Sequence, residues 1–243
     1  MPCFALQLKG GVERQEILKM NTVSNLQGLG VSNAQVAVPF KNYLTTTDST
    51  GNFEIPKKFA PPFVLTVKKK GYEPFSLTVK SYGKEPFHLV ITEESAKKIA
   101  IESDTFHLGD NSYSEHSANA GDFRGRSIGT SYEKSFMVKN LSPNETLHLT
   151  IGSIIGIDTK EARRLGQSRV NDAYGSAVKV FFNSNQVANL KINGDNQRIS
   201  IPKTFVRQNG KNVVKIIAGT NQTQREYVDY DDFEFTNLFL DYK

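Results

Sequence analysis

The sequence predicts an all-β protein made of two β-sandwiches in tandem. Segments such as AQVAV, FVLTVKK and FSLTVK alternate apolar and polar residues with a period of two, which is typical of strands with one buried face. Six of the nine prolines lie between Pro39 and Pro86 and leave no room there for a long helix. A chain of 243 residues is long enough for two modest domains, each with a core of its own.

Composition places the chain among ordinary globular proteins. Hydrophobic residues make up 38% of it and charged residues 23%. No run of about eighteen apolar residues occurs, so no membrane span is expected. The first residues, MPCFALQLKG, lack the basic and apolar regions of a signal peptide, which indicates a cytosolic protein or a fragment whose export signal has been removed. Cys3 is the single cysteine, so no disulfide can form within the chain.

The net charge of +5 lies in the first part of the chain. Up to Thr92 there are eleven Lys and Arg against six Asp and Glu, whereas the remainder has nineteen of each. The closest group of basic residues comprises Lys57, Lys58, Lys68, Lys69 and Lys70. A nucleic-acid surface usually adds interleaved aromatic residues or a recognition helix, and neither is present. We therefore interpret these lysines as solvated strand faces and protected sheet edges, and we expect no nucleic-acid partner.

The segment ITEESAKKIAI interrupts the strand pattern and reads as a linker or short helix. We place a domain boundary there, near residues 93–97, which gives domains 1–94 and 95–243. Strands resume in YEKSFMV, ETLHLTIGSII, AVKVFFN, NVVKIIAG and FEFTNLFLDY. In the second domain, DTKEARRLG predicts a helical turn that Asp158 caps and Gly166 ends.

The segment TTTDSTGNFEI is a strong turn signal. It predicts a hairpin turn in which Asp48 accepts bonds from the following backbone and Gly51 takes a positive φ. Phe53 and Ile55 then share one face of the next strand. A phosphate loop would need a helix after the glycine, and a calcium loop would need further carboxylates at regular offsets. The segment is therefore interpreted as a corner.

Three motifs in order give the first domain a family resemblance. GLGVSNAQVAV, YLTTTDSTGNFEI and PFVLTVKKKGYEPFSLTV, over about residues 24–92, resemble the carboxypeptidase-regulatory-like domain, a transthyretin-like β-sandwich. Asp48, Gly51, Phe53, Gly71 and Tyr72 occupy the family's motif positions. The resemblance implies a rigid accessory module that acts as a spacer or docking domain and carries no catalytic residues.

The second domain resembles a different family. IAIESDTFHLGDNSYS, VKVFFNSNQVANLKI, GKNVVKIIAG and the closing YDDFEFTNLFLDY are similar to galactose-binding-like jelly rolls, many of which are carbohydrate-binding modules of secreted proteins. The resemblance implies that the last strand lies beside the first and that carboxylates near each can hold a structural calcium ion. The chain departs from sugar-binding members in having no Trp, although Tyr and Phe can also stack on sugars.

Acidic residues of the first and last strands are the candidate metal ligands. Calcium prefers hard oxygen donors, and a site would draw on Glu102, Asp104, Asp231 and Asp232, with Asp229 adjacent. The alternative is a solvated acidic loop whose like charges point apart. Calcium as a structural cofactor is therefore one of two hypotheses for these residues.

Catalysis is not expected. HLGDNSYSEH places Gly109, Asp110 and Ser112 near two histidines, but the spacing does not match a nucleophile turn and no later Asp-x-x-His pair supplies a base. The four histidines lack the helical spacing or cysteine partners of a zinc site. The sequence thus predicts a protein that is not an enzyme.

Two loops carry the candidate ligand-binding residues. They combine aromatic rings with forked guanidinium donors among small residues, a mixture that can stack on a sugar and bond its hydroxyls. The predicted set is Phe123, Arg124, Arg126, Tyr132, Arg163, Arg169 and Tyr174. The same composition also suits the turns at any sandwich tip, so a purely structural role is the alternative.

These observations predict a non-catalytic carbohydrate-binding protein with a β-sandwich spacer. The expected partner is a glycan or polysaccharide, and the expected location is extracellular, periplasmic or at the cell surface. Two alternatives stay open. The chain is a structural or adhesive module that binds another protein through exposed strand edges, or it is an accessory region of a larger secreted hydrolase.

Overall fold

The all-β fold class predicted from the sequence is confirmed. A computed structural model describes residues 20–56, 59–114, 116–118, 123, 125–139, 141–142, 144–168, 170 and 174–242. These residues form fifteen strands, one short α-helix and one 3-10 turn, arranged as four sheets. Nowhere in the described part of the chain is a helix long and apolar enough to cross a membrane. Cys3, Lys57 and Lys58 lie outside the described residues.

The first sandwich contains seven short strands. They are β1 (Asn21–Ser24), β2 (Gln35–Val38), β3 (Tyr43–Thr46), β4 (Asn52–Phe53), β5 (Phe63–Lys68), β6 (Phe75–Val79) and β7 (His88–Val90). One sheet has the order β3-β2-β5-β6 and is antiparallel; the other has the order β4-β1-β7, with β1 and β7 parallel. Alternating side chains such as Val36, Val38 and Phe53 are buried between them, as the period of two predicted.

The turn at Asp48 is a corner between the two sheets. Asp48 Oδ1 accepts bonds from the N–H groups of Thr50 (2.9 Å) and Asn52 (2.8 Å), and Gly51 has φ +84°. These features confirm the predicted turn chemistry. The predicted hairpin pairing is wrong, because β3 pairs with β2 in one sheet whereas β4 pairs with β1 in the other. The polar turn therefore carries the chain from one layer of the sandwich to the other.

The second sandwich has eight strands among the described residues. Five of them match the predicted strand segments, two others, at Asn185–Leu190 and Gly194–Ile201, were not predicted, and the first begins at Lys98, inside the segment predicted as a linker or short helix. The eight strands are β8 (Lys98–Leu108), β9 (Ser131–Met137), β10 (Leu147–Ile155), β11 (Val178–Phe182), β12 (Asn185–Leu190), β13 (Gly194–Ile201), β14 (Lys211–Ile217) and β15 (Phe233–Tyr242). The two antiparallel sheets have the orders β13-β10-β15-β8 and β12-β11-β14-β9. The last strand lies beside the first strand of this sandwich, as expected.

The short helix α1 (Lys160–Arg164) begins one residue later than predicted. Thr159 is its N-cap, and the Thr159 hydroxyl accepts a bond from Ala162 N–H at 3.1 Å. The predicted cap, Asp158, is instead fully buried beside Asp231. Gly166, with φ +69°, donates to Arg163 C=O just beyond the helix, which confirms the predicted end.

The two sandwiches meet through a polar contact, here called the inter-sandwich joint. Strand β6 lies against β10 and β13, and Asp195 of β13 is central to the contact. The Asp195 carboxylate accepts bonds from Thr78 N–H (3.0 Å), the Thr78 hydroxyl (2.6 Å) and the Ser153 hydroxyl (2.6 Å). Ser153 also lies 3.0 Å from the Ser76 hydroxyl. The Asp195 carboxylate therefore links the two sandwiches through hydrogen bonds to both.

Buried apolar side chains form two separate clusters. One runs from Val23 to Ile91 and the other from Ile101 to Tyr242. The interval between the clusters contains the boundary expected near residue 95. The limits 1–94 and 95–243, and independent folding of each part, stay predictions.

We expect Asp195→Ala to lower the free energy of unfolding by about 1–3 kcal/mol, because it leaves the buried Thr78 and Ser153 donors without an acceptor. Urea unfolding at neutral pH measures this loss. Asp104→Ala is the matched control: Asp104 also crosses between the sandwiches, to Lys68, but its side chain is 64% exposed. Its loss should cost less than about 1 kcal/mol, and equal effects of the two variants would contradict a structural role for Asp195.

Candidate functional site

A cleft of about 670 Å³ opens between the two sandwiches. This volume lies within the range of about 300–1,000 Å³ that is usual for small-molecule sites. The first sandwich contributes residues 39–42 and 59–64, Thr78 and Lys80; the second contributes Phe123, Ile155, Gly156, residues 165–167, Asn193, Gly194 and Glu234. We call this feature the inter-sandwich cleft. It is the candidate functional site because rings, cations and a carboxylate converge on it.

Glu234 lies in the wall of the inter-sandwich cleft because of the alternation of β15. Phe233 and Phe235 point into the core of the second sandwich, so Glu234 points to the opposite face. Its neighbours across the sheet are His107 on β8 and Ile155 on β10. Glu234 is only 7% exposed, yet its carboxylate forms no hydrogen bond or ion pair with any residue that the structure describes. Its oxygens are not among the fully buried atoms that lack a partner, so the carboxylate faces the opening of the cleft, where a ligand can donate hydrogen bonds to it.

Burial raises the pKa of Glu234 to about 7, and the electrostatic interactions of this carboxyl group with His107 and Lys41 only partly oppose the effect. The carboxyl group therefore changes protonation near neutral pH. In its neutral form it can donate one hydrogen bond and accept others, and in its charged form it only accepts.

Phe123 is held in the cleft by a buried histidine. Its ring centroid is 4.8 Å from that of His107, and a Cβ at Gly156, which has φ +98°, would overlap the Phe123 ring. His107 Nδ1 donates to Gly125 C=O at 2.7 Å, and His107 Nε2 lies 2.8 Å from Asp232 Oδ1. His107 and Asp232 are fully buried, so they form a fixed support below the ring.

Phe40 brings the first sandwich to the same place. It lies in the connection between β2 and β3 and has φ +58°, a conformation that is unusual for a bulky residue. A Cβ at Gly125 would lie only 2.7 Å from the Phe40 ring, so the absence of a side chain at Gly125 permits the contact. The connection continues into Lys41, which also lines the cleft.

The amide side chains in the cleft wall are already bonded within the protein. Gln167 Nε2 donates to Asn193 C=O (3.1 Å), Asn193 N–H donates to Gln167 Oε1 (2.9 Å), and Asn193 Nδ2 donates to Ile157 C=O (2.9 Å). These bonds make the wall rigid. The charged groups of the cleft differ: Lys41, Lys80 and Glu234 have no bonding partner among the described residues.

The structure does not bring the four predicted metal ligands together. Glu102 lies opposite Leu238, five residues along β8 from His107, which corresponds to about 17 Å at about 3.3 Å per residue. Asp104 pairs with Lys68, whereas Asp231 and Asp232 precede β15. Within the described ranges, no group of three or more His, Cys, Asp or Glu side chains is arranged to hold a metal ion. Calcium binding stays a prediction.

Glu102 has a structural environment of its own. It accepts bonds from the Tyr132 hydroxyl (2.7 Å), Lys134 Nζ (3.2 Å) and Ser103 N–H (2.9 Å). Burial raises the pKa of Glu102, but these bonds outweigh it and the net direction is downward. Glu102 is thus a charged group whose partners are supplied by its own sandwich.

The acidic cluster before β15 holds loops in place. Asp229 accepts bonds from Ala118 N–H (2.9 Å) and Asn221 Nδ2 (2.8 Å). Asp231 Oδ2 accepts a bond from Asp158 N–H (3.0 Å), whereas Asp231 Oδ1 has no partner in the described part of the chain. Burial, together with the charges of Asp158, Asp232 and Asp229, raises the pKa of Asp231 well above its usual range.

Of the predicted ligand-binding residues, Phe123 lines the cleft. Tyr132 is placed in the core instead: its ring packs against Phe106 (4.7 Å) and Phe235 (5.1 Å). Tyr174 lies away from the cleft, under Arg163, whose Cζ is 4.7 Å from the ring centroid. Arg126 is exposed outside the cleft. Arg124 and Arg169 lie outside the described residues.

Sequence reasoning missed Glu234, Phe40, Lys41 and Lys80. The alternation in DDFEFTN was a usable signal for Glu234, because a charged residue between two core phenylalanines must face outward. No comparable local signal marks Phe40 or the two lysines, since their role depends on how the sandwiches pack.

No family model matches the sequence, and no curated protein is significantly similar to it. Two of the solved structures that are similar to this chain are of a glycosyl hydrolase family 2 member from Bacteroides cellulosilyticus. The first is 12% identical with a TM-score of 0.33, and the match covers 60% of this chain and 21% of that chain. The second, from microfluidic crystals, is 11% identical with a TM-score of 0.35, and the match covers 60% and 20%. The matched region thus spans about a fifth of those proteins.

The pH dependence of the unfolding free energy, compared between the wild type and Glu234→Gln, tests the raised pKa of the buried carboxyl group. The folded state keeps a proton up to a pKa of about 7, whereas the unfolded state releases it near 4.5, so the stability that the proton confers is lost as pH rises through this window. The wild type should lose up to about 3 kcal/mol of unfolding free energy relative to Glu234→Gln between these pH values. Urea unfolding at a series of pH values measures the difference. The exposed control Glu226→Gln should show no such divergence, and parallel profiles for Glu234→Gln would contradict the shifted pKa.

Asp231→Asn tests the acidic cluster. The amide keeps an acceptor for Asp158 N–H and cannot ionise, so the variant should melt increasingly above the wild type as pH rises through the raised pKa of Asp231, by about 2–4 °C for each kcal/mol gained. Melting curves with calcium and with a chelator complete the test. Calcium that stabilises the wild type but not Asp231→Asn would support the predicted ion. A variant that melts lower, in a protein that does not respond to calcium, would contradict a destabilising buried charge.

Proposed function

We propose that the chain is a non-catalytic carbohydrate-binding protein whose ligand occupies the inter-sandwich cleft. The observation that carries this proposal is Glu234, a carboxylate that is 7% exposed, lines a cleft and has no partner among the described residues. A ligand that donates hydrogen bonds would provide what the protein does not.

The cleft combines the two kinds of surface that a sugar ring presents. Phe123 and Phe40 offer apolar ring surface, which matches the C–H face of a sugar. The Glu234 carboxylate accepts hydrogen bonds, and the Lys41 ammonium group donates them. A sugar hydroxyl group can do both, so it can bond to either residue. The ligand-binding surface is therefore proposed at the cleft, not at the loop that contains Tyr174.

The charged groups of the cleft support binding over catalysis. Most glycoside hydrolases use a pair of carboxyl groups that flank the scissile bond. Among the described residues that line this cleft, Glu234 is the single carboxylate. His107 and Asp232 are fully buried beneath Phe123 and have no access to a ligand in this arrangement.

The same proposal assigns each sandwich to the family that its sequence resembles and gives the protein a location. The first sandwich would be a carboxypeptidase-regulatory-like domain and the second a galactose-binding-like jelly roll, in a protein of the cell envelope or exterior. The first sandwich is more than a spacer in this proposal, because it supplies Phe40, Phe59 and two lysines to the cleft.

Exposed apolar residues favour one alternative, a module that binds another protein. Leu26, Leu29 and Leu44 of the first sandwich are each at least 65% exposed, and Leu44 lies on β3, an outer strand of its sheet. An outer strand can accept a strand from a partner. An accessory role in a larger secreted hydrolase is compatible with either ligand.

A glycan array with the full chain tests the proposal, followed by calorimetry on the hits. We expect a dissociation constant roughly between micromolar and millimolar, because exchanged water hydrogen bonds and a few ring contacts give little net energy. Glu234→Gln keeps the size of the side chain and should weaken binding about tenfold or more, since hydrogen bonds to charged groups contribute about 1.5–3 kcal/mol.

Tyr174→Ala is the matched control, because it removes an aromatic ring outside the cleft. It should leave the affinity unchanged. Phe123→Ala provides a second variant, and its melting temperature separates lost binding from lost packing on His107. Glycan binding that depends on Tyr174 and ignores Glu234 would place the site elsewhere. A protein that binds no glycan would favour the adhesive module.

A further inference from the structure

We propose that the glycan is acidic, with the carboxylates of uronic acid residues facing Lys41 and Lys80 of the first sandwich and its hydroxyl groups facing Glu234 of the second. This inference rests on the proposed function, because it names the ligand class of the same cleft. In this arrangement the first sandwich binds the acidic groups of the ligand and the second sandwich binds its hydroxyl groups.

The lysines of the cleft form no close ion pair, unlike other lysines where the sandwiches meet, although Lys41 is near enough to Glu234 to interact with it electrostatically. Lys68 pairs with Asp104, and Lys98 pairs with Glu73 at 2.6 Å. Lys41 and Lys80 form no ion pair or hydrogen bond with any described residue, although both line the cleft. The lysines of the sandwich contact are thus held in close ion pairs, whereas the ammonium groups of the two cleft lysines stay available to a ligand.

The distribution of charge along the chain also favours an acidic ligand. The net charge of +5 belongs entirely to the residues up to Thr92, which include both lysines, and the rest of the chain is neutral overall. A surface with one sign of charge raises the local concentration of oppositely charged ligands and speeds their association. The excess of positive charge in this part of the chain therefore favours the association of anionic ligands over neutral ones.

The position of Glu234 favours a sugar acid over a nucleic acid. Nucleic acids carry a phosphate at every nucleotide and are usually held by several basic groups. In the described lining of the cleft there are two cations, both lysines, and a carboxylate. A uronic acid residue has one carboxylate and several hydroxyl groups, so it can place its charge near the lysines while a hydroxyl donates to Glu234.

The test compares one oligosaccharide in two forms. Oligogalacturonate and its methyl ester have the same ring geometry and differ in charge, and calorimetry with the full chain gives both affinities. We expect the free acid to bind between about twofold and thirtyfold more tightly, the range given by two ion pairs of about 0.2–1 kcal/mol each. The difference should shrink at high salt, because exposed ion pairs are screened.

Lys41→Gln/Lys80→Gln should remove this preference, so that the free acid and the ester bind with equal affinity. The matched control is Lys179→Gln/Lys211→Gln, which removes the same charge from exposed positions on the other sheet of the second sandwich. Equal melting temperatures show that the variants are folded. If the double variant fails to fold, Lys80→Gln alone serves, because Lys80 is exposed and should still reduce the preference.

The outcomes separate the inference from the proposed function. Acid and ester that bind equally, with Glu234→Gln weakening both, would overturn the acidic ligand and retain the carbohydrate site. An array without glycan hits would overturn both. A single-stranded oligonucleotide that binds more tightly than oligogalacturonate, through the same two lysines, would identify a nucleic-acid site and also overturn both.

Discussion

The double burial of β15 is the constraint on which the rest of the structure depends. Its inner face holds Phe233, Phe235, Leu238 and Leu240 in the core of the second sandwich. Its outer face is covered in part by β6 of the first sandwich. A strand that is buried on both faces has no water to satisfy its outward polar side chains, so each needs a partner from the protein or from a ligand.

Two of the outward residues of β15 find partners within the second sandwich. Thr236 lies 2.9 Å from the Thr105 hydroxyl, and Asp241 accepts a bond from Thr150 at 2.8 Å. The backbone of Asn237 has φ +59° at a register shift, which suits asparagine, but its buried amide has no hydrogen-bond partner among the described residues. Glu234 has neither a hydrogen-bond partner among the described residues nor a backbone conformation that would account for its presence. It lies where the cover by the first sandwich stops and the cleft begins, so the unpartnered carboxylate and the opening have the same origin.

Much of this fold could be predicted from the sequence, because the signals are local. Alternation predicts most strands, and Asp48 with Gly51 predicts a corner, but the choice of partner strand depends on tertiary packing and was wrong there. Tyr132 illustrates the limit for the site: the loop composition before it continues into β9, where the ring enters the core. Glu102 was grouped with Asp231 because sequence alone does not show how far along an eleven-residue strand each one sits.

Stability alone gives no reason for a glutamate at position 234. A hydrophobic residue of similar size would avoid the desolvation of a carboxylate that has no donor, and such replacements are often neutral or stabilising. The contrast with Asp195 is instructive, because that carboxylate also lies between the sandwiches but bonds to Thr78 and Ser153. The Asp195 carboxylate therefore links the two sandwiches that form the cleft, and the Glu234 carboxylate stays available to a ligand. Residues that lower the stability of a fold without a structural return are typical of binding sites, where a ligand supplies the missing partner.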